Sequence, residues 1–414
     1  MSEVNVVDQE LTGAELLAAA AAEVTSWPSV SAARARQVAW VAGEYRRALA
    51  LAEHPLGVDA GVDEVFTREP VNEYLRLART GQLRVRRAAD PSRGSDHSEQ
   101  IRLEVLKLLV TACGAEDYAE LPPQPDPPRK KPVDKRPRSL LRTQLTELAD
   151  QGGTPSQMRM LAVGAVVTDT GIRAGEMCAR TVEDLSPSLE ELRVVRRPQG
   201  WSESEAYAEL LALSGLSRAA LKRWLPERHR LLDRVGGTAT ALWVSLRGNH
   251  HGGQHVPEGT PLMPRGLARA WTRAVVDTNN EMAGQPSWEP LPTRMEQLRR
   301  GVTPKAAAAP MAPDAEKAAE LLDDVAARGR ALAELRRDGE ENSTAELQAR
   351  VAVRQAVRDA WAEGVEHTVQ LSVLADAGLA DDAALAAAGW EPVLLGAIDR
   401  SQGWGRPSKA AAAV

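Results

Sequence analysis

The sequence predicts a mainly α-helical chain with one small antiparallel sheet, and three observations lead there. Apolar residues recur at three-and-four spacing through most of the 414 positions. Only two stretches, residues 192–195 and 207–213, read as short strands. Two proline-rich segments, 121–138 and 304–314, cut the chain where neither a continuous helix nor a central strand can run. The expected organisation is a helical domain over 1–117, a basic Pro-rich linker over 118–138, an α+β domain over 139–303, a second linker over 304–314 and a helical region over 315–414.

In the first domain the helical spacing covers residues 33–51, 71–78 and 101–112, and Thr67-Arg68-Glu69-Pro70 reads as a helix start. The polar run from Arg87 to Ser98 holds Pro and Gly, so it is expected to be a loop before a helix from Glu99. Four or five helices and no strand follow. The linker carries seven prolines together with Arg129, Lys130, Lys131, Lys135, Arg136 and Arg138. A stiff extended segment with that charge is suited to lie along a phosphate backbone, or to act as a solvated spacer.

Helices are expected next over 140–150 and 155–168, then the two strands, a helix over 218–232, an apolar segment at 241–246, a helix over 264–279 and a final segment at 291–301. Beyond the second linker, 315–337 and 345–363 form a helical hairpin about Asp338-Gly339. Residues 371–390 have helix-turn-helix spacing, but the second helix offers Asp381, Asp382 and alanines where a reading helix needs Arg, Lys, Asn or Gln. That end piece is expected to meet protein rather than DNA.

Composition excludes several classes. With 43% hydrophobic and 26% charged residues and no long uncharged apolar run, a membrane span is not expected. The N-terminal stretch lacks a basic region before its apolar run and does not read as a signal peptide. Two cysteines, Cys113 and Cys178, fit a reducing cytoplasm. The net charge of −6 conceals a basic centre: residues 121–300 hold 26 basic and 20 acidic side chains, against 13 and 19 before them and 12 and 18 after. Affinity for nucleic acid follows local charge, so DNA remains a credible partner.

The most specific stretch is Thr170-Gly171-Ile172-Arg173-Ala174-Gly175-Glu176, ending in Val182-Glu183-Asp184-Leu185. Gly permits a tight entry, Arg at a helix start can grip a phosphate with two parallel bonds, and Glu176 three residues on fixes the arginine's surroundings. This segment resembles the first signature of the tyrosine recombinase (phage integrase) family. The layout is similar too, over roughly residues 13–301: a helical core-binding domain, a basic linker and a catalytic-like domain with its first Arg after two helices. The resemblance implies an integrase-like fold, duplex DNA as partner, DNA recombination or integration as the setting, and a phage or mobile-element context.

The same resemblance implies a set of roles, and the chain fills only part of it. The second signature is normally His-x-Leu-Arg; here it reads Glu296-Gln297-Leu298-Arg299, so Arg299 is the candidate second arginine beside a Glu that repels phosphate unless neutralised. No Lys lies between Lys135 and Lys222 to serve as general acid, and Arg196 or Arg197 can hold a phosphate but are poor proton donors. The only tyrosines are Tyr45, Tyr74, Tyr118 and Tyr207, and none follows the second signature. Tyr207 falls in an expected strand, where its role is packing and pairing. Arg173 and Arg299 are therefore expected as phosphate-holding remnants of a catalytic pair, with no nucleophile identified.

Other candidates point elsewhere. His250, His251 and His255 lie in a Gly-rich stretch with no nearby Cys and no carboxylate at helical spacing, which reads as a solvated turn and not a metal site. Trp201, Trp224, Trp243, Trp271 and Trp288 are spaced as core anchors. There is no Walker loop, no GxGxxG after a strand and no GxSxG, and no cofactor or metal is expected. The leading expectation is a DNA-binding, integrase-like protein with a decayed recombinase site that clamps duplex DNA between its first two domains. Its DNA contacts are expected from Arg129, Lys130, Lys131, Lys135, Arg136, Arg138, Arg173, Arg196 and Arg197. The alternatives are an active recombinase with a non-standard or partner-supplied nucleophile, and a helical interaction protein. A second copy or another protein is a further expected partner, through the acidic C-terminal region.

Overall fold

The computed structural model describes residues 11–51, 53–61, 63–84, 96–124, 132–196, 205–251 and 254–401. The chain divides into two units, Met1–Lys130 and Lys131–Val414.

The described residues of the first unit form helices joined by turns, with no strand among them. Helix α1 (Gly13–Ser26) starts from a capping box between Thr12 and Glu15, α2 (Ala32–Leu49) is capped by Ser31, α3 (Arg68–Thr80) ends at Gly81 with φ 80°, and α4 spans Asp96–Cys113. Asp96 to Ser98, expected in a loop, already belong to α4, and the rest of that expected loop, residues 87–95, lies outside the described residues. The helices bury Leu17, Val24, Val41, Leu77, Leu106 and Leu109 against one another. A charged pair sits inside this core: Arg102 Nε donates to Glu44 Oε2 at 2.7 Å and the Tyr74 hydroxyl donates to the same oxygen at 3.1 Å. Such a pair persists only because each member is hydrogen-bonded, and losing either partner leaves a stranded charge. Tyr45 and Tyr74 stack at 4.4 Å between centroids, both fully buried, and burial pushes both phenols up.

The second unit is mainly α with a small antiparallel sheet. It opens with α5 (Arg138–Asp150) and α6 (Pro155–Thr170), the latter buried on almost every face from Met160 to Val167. A helix apolar all round belongs at the centre of a domain. Around it run α7 (Ala174–Cys178), a 3-10 turn at Val182–Asp184, β1 (Glu191–Arg196), β2 (Tyr207–Ala212), α8 (Gly215–Val235), the hairpin strands β3 (Asn249–His251) and β4 (Gln254–Val256), α9 (Pro264–Met282) and α10 (Met295–Arg299). Trp224, Trp243 and Trp271 are buried in the core and Trp288 packs against it, while Trp201 lies outside the described residues. Two buried arginines tie the apolar 239–244 segment down through its carbonyls: Arg228 Nε donates to Ala241 O at 2.8 Å and Arg159 Nη1 to Val244 O at 2.7 Å. Burial with neutral acceptors lowers both guanidiniums, to about 10.

The second expected linker is corrected by the structure. Ala306–Ala309 forms β5, which pairs antiparallel with β2 and completes a sheet of order β1-β2-β5. Prolines at 304, 310 and 313 flank the strand without entering it, so the run of alanines between them is free to donate to β2. The C-terminal helices are α11 (Ala315–Arg337), α12 (Thr344–Ala362), α13 (His367–Asp376), α14 (Asp382–Ala387) and α15 (Pro392–Ser401). They share the core of the α+β part rather than forming a separate body: Val325, Leu332, Val353, Leu371, Leu385 and Ile398 belong to the same apolar cluster as α6. Polar ties join them as well. Trp361 Nε1 donates to Glu183 O at 3.0 Å, Arg358 grips both carboxylate oxygens of Glu191 at 2.8 Å, and the Glu391 amide donates to Pro187 O at 3.0 Å.

Candidate functional site

The site grows from the end of α6. Gly171 leaves that helix with φ 59°, the left-handed region that glycine enters at no steric cost, and a Cβ there would meet Val302 at 3.4 Å. The turn sets Arg173 at the N-cap of α7. Its backbone N–H donates to Glu176 Oε2 at 2.9 Å, and its Nη1 lies 3.4 Å from Glu176 Oε1. The antiparallel pairing of β1 with β2 sets Arg196 opposite Tyr207. Arg196 Nη1 donates to Glu176 Oε2 at 2.9 Å, Nε to Glu209 Oε2 at 2.8 Å, and Nη2 to Thr170 O at 3.1 Å.

The far wall comes from α10. Arg299 and Arg300 close a cleft of about 580 Å³ with Arg173, Arg196, Glu176, Tyr207 and Glu209. Arg299 donates to both oxygens of Glu296, from Nε at 2.7 Å and Nη2 at 2.5 Å, and Arg300 Nε lies 3.5 Å from Glu296 Oε1. The hydrogen bonds from Arg299 hold the Glu296 carboxyl below its ordinary range. Four guanidiniums against three carboxylates leave the cleft and its rim with an excess of one positive charge. Guanidinium forks around one open space are suited to the tetrahedral oxygens of a phosphate.

The structure sorts the expected residues into groups. Arg173, Arg196 and Arg299 converge on the cleft although they lie on three separate elements. Arg129, Lys130, Lys131 and Arg197 lie outside the described residues, and Lys135 is exposed. Arg136 is a correction. Its side chain is 3% exposed and its donors are spent on Asp134, Gln144 and the carbonyls of Glu289 and Pro290, so it fastens the chain entering α5 and offers nothing to a phosphate. Arg138 is half-buried, with Nη2 donating to Leu298 O at 2.9 Å; it braces α10 from behind, and burial lowers its guanidinium. The side chains of His250 and His251 are not described, and the two residues stand in a β-hairpin where a turn was expected, His250 paired with His255. Among the described residues no group of three or more His, Cys, Asp or Glu is arranged for a metal ion. No helix among them is long and apolar enough to cross a membrane.

Three polar residues of the cleft were not expected there: Arg300, Glu209 and Tyr207. Tyr207 is also a correction, because it does not serve packing; it is 51% exposed and lines the cleft. Strand alternation carried the signal, since Tyr207 and Glu209 at i and i+2 share a face, but nothing local says which face meets the arginines. The other three tyrosines are not among the residues that line the cleft. Tyr45 and Tyr74 are sealed in the first unit's core, and Tyr118 packs against that core.

No family model matches this sequence, and no curated protein does. Solved structures do align with it. The chain is similar to the crystal structure of XerA recombinase at 15% identity, over 69% of this chain and 81% of that one, with a TM-score of 0.27. It is similar to the Tn1549 transposon integrase in complex with transposon right end DNA at 14% identity, over 70% of this chain and 84% of that one, with a TM-score of 0.39. The same integrase in complex with a circular intermediate DNA aligns at 14% identity over the same shares, with a TM-score of 0.37. The chemistry of the cleft stands on this chain's own residues.

Proposed function

We propose that this chain is a DNA-binding, integrase-like protein that seats a backbone phosphate of duplex DNA in the arginine cleft and no longer cuts the strand. One observation carries the reading: Arg173 and Arg299, more than a hundred residues apart, line one open cleft with Arg196 and Arg300. Loss of cleavage is supported by what surrounds them. A carboxylate, Glu296, grips the second arginine where the family's pattern has a histidine, and no lysine among the described residues lines the cleft. In the wider form of this reading each of the two units meets the duplex, joined by residues 121–138. Titration of a labelled duplex with the full chain and with Arg173→Ala and Arg299→Ala variants tests it. Salt-dependent binding that both variants weaken is expected, and binding that neither variant changes removes the cleft from the account. No binding at low salt removes DNA itself and favours a helical interaction protein.

Tyr207 favours a second reading, an active recombinase with a nucleophile displaced to the start of β2. In that reading its Oη–P bond forms as the P–O5′ bond breaks, and the phenolic proton ends on the leaving 5′ oxygen. A covalent protein–DNA band on a nicked duplex, lost in Tyr207→Phe, would establish it.

A further inference from the structure

The three carboxylates around the arginine cleft are not held alike. Glu176 is buried, with 6% of its side chain exposed, and it takes the Arg173 amide and the guanidiniums of Arg173 and Arg196. Glu209 is fixed by its strand and by Arg196. Glu296 sits in the first turn of α10 with half of its side chain exposed, and its described ion pairs are to Arg299 and Arg300. Standing at the rim and half exposed, it can turn away from Arg299 by side-chain rotation alone, without breaking the core. The edge of Arg299 that it occupies, Nε together with Nη2, is the edge that makes paired bonds to two oxygens of one anion.

We propose that Glu296 is a built-in competitor for the phosphate: in the free protein it fills the anion-gripping edge of Arg299, and a nucleic-acid phosphate binds by exchanging with it. This rests on the phosphate-binding reading of the cleft and assigns Glu296 the part of setting its affinity. The exchange needs no backbone movement in α7 or in the sheet, because Arg173 and Arg196 keep their own carboxylate, Glu176, throughout. The competitor makes the cleft discriminating. A single loosely placed anion recovers little when it displaces a bidentate carboxylate, whereas a backbone phosphate presented by a duplex already anchored elsewhere competes at high effective concentration.

The experiment is a double-mutant cycle on the full chain with Glu296→Gln, Arg299→Ala and the pair, read by anisotropy of a labelled duplex at low salt and by titration with inorganic phosphate. Glu258→Gln, which removes a half-buried carboxylate that is paired with Arg234 and does not line the cleft, controls for the general gain from deleting a negative charge. Glu296→Gln is expected to tighten duplex binding about fivefold or more, to exceed the gain from Glu258→Gln, and to lose most of its advantage when Arg299 is absent. The Arg299 Nε resonance is expected to shift with inorganic phosphate in Glu296→Gln at concentrations that leave the wild type unmoved. Equal or weaker binding by Glu296→Gln, or a gain matched by Glu258→Gln, overturns the competitor and leaves the phosphate cleft standing. Absence of binding in every variant overturns the cleft itself.

Discussion

Arg173 and Arg196 meet through one carboxylate: Glu176 Oε2 accepts the Arg173 backbone amide and Arg196 Nη1, each at 2.9 Å. The N-cap residue of α7 and a residue at the end of β1 are thereby locked at a common spacing before any ligand arrives. Removing Glu176 leaves two guanidiniums facing each other, one with its side chain only 13% exposed. Glu176→Ala is expected to cost roughly 3 kcal/mol of stability, the scale for breaking a buried ion pair, and to weaken duplex binding. Chemical denaturation checks the first and anisotropy the second; a variant of wild-type stability would show that the network is dispensable to the fold.

Arg173 is different, because its side chain is 37% exposed towards the cleft. Arg173→Ala is expected to weaken DNA binding by about tenfold, one charged contact, while the melting temperature stays close to wild type. Unchanged affinity together with a sharply lower melting temperature would assign Arg173 to the fold.

Lys135 and Arg136 are adjacent in sequence and are expected to behave oppositely. Lys135→Glu should lower duplex affinity and flatten its dependence on salt by about one phosphate's worth of counterion release, leaving stability alone. Arg136→Glu should destabilise the second unit, because Asp134 and the carbonyls of Glu289 and Pro290 lose their donor. Parallel thermal melts and salt titrations separate the two; equal losses of affinity with no loss of stability would return Arg136 to the DNA surface.

The full chain incubated with a nicked suicide duplex is expected to leave no covalent protein–DNA band on a denaturing gel. The nucleophile must come within about 3–3.5 Å of the phosphorus; Tyr207 lines the cleft, but Glu296 occupies Arg299 and no lysine among the described lining residues stands ready to protonate the leaving oxygen. A band that persists in Tyr207→Phe would require a nucleophile outside this set, and one that vanishes in it would restore the enzyme.

Glu183 and His367 face each other where the C-terminal helices meet the 3-10 turn, with His367 Nδ1 4.0 Å from Glu183 Oε2 and the His367 amide donating to the same oxygen at 2.9 Å. Burial raises the Glu183 carboxyl from 4.5 to about 7, and burial lowers His367 from 6.5 to about 4. Because the folded value of Glu183 is the higher one, its contribution is fully present below about pH 4.5 and is lost as pH rises through about 7. His367 runs the other way: its contribution is present above about pH 6.5 and is lost as pH falls through about 4. Glu366, Asp184 and Arg193 are the other charges felt by the pair. Glu183→Gln keeps the acceptor and removes the charge, so it is expected to stabilise the fold by on the order of 2 kcal/mol near pH 8 and to match wild type at about pH 4. A constant difference between the two pH values would detach Glu183 from the titration.

Much of this molecule was legible from local chemistry. Hydrophobic spacing located α2, α3, α8, α9, α11 and α12 to within a few residues, because an amphipathic helix writes its buried face into its own sequence. The Thr170-to-Glu176 stretch marked the first wall of the cleft, since a glycine exit and an N-cap arginine are set by neighbours in sequence. Charge by itself could not tell Lys135 from Arg136: whether a guanidinium faces water or caps carbonyls depends on Glu289 and Pro290, about 150 residues away. Nor could it turn Tyr207 and Glu209 towards Arg173 and Arg299, or add Ala306–Ala309 to the sheet, because strand pairing is a contact between distant segments. The sequence by itself determined most of the long helices and marked Arg173 at a helix start after a glycine turn. Only the tertiary structure decided which charges share that site, since a cleft is made of side chains whose Coulomb and hydrogen-bond partners lie far apart along the chain.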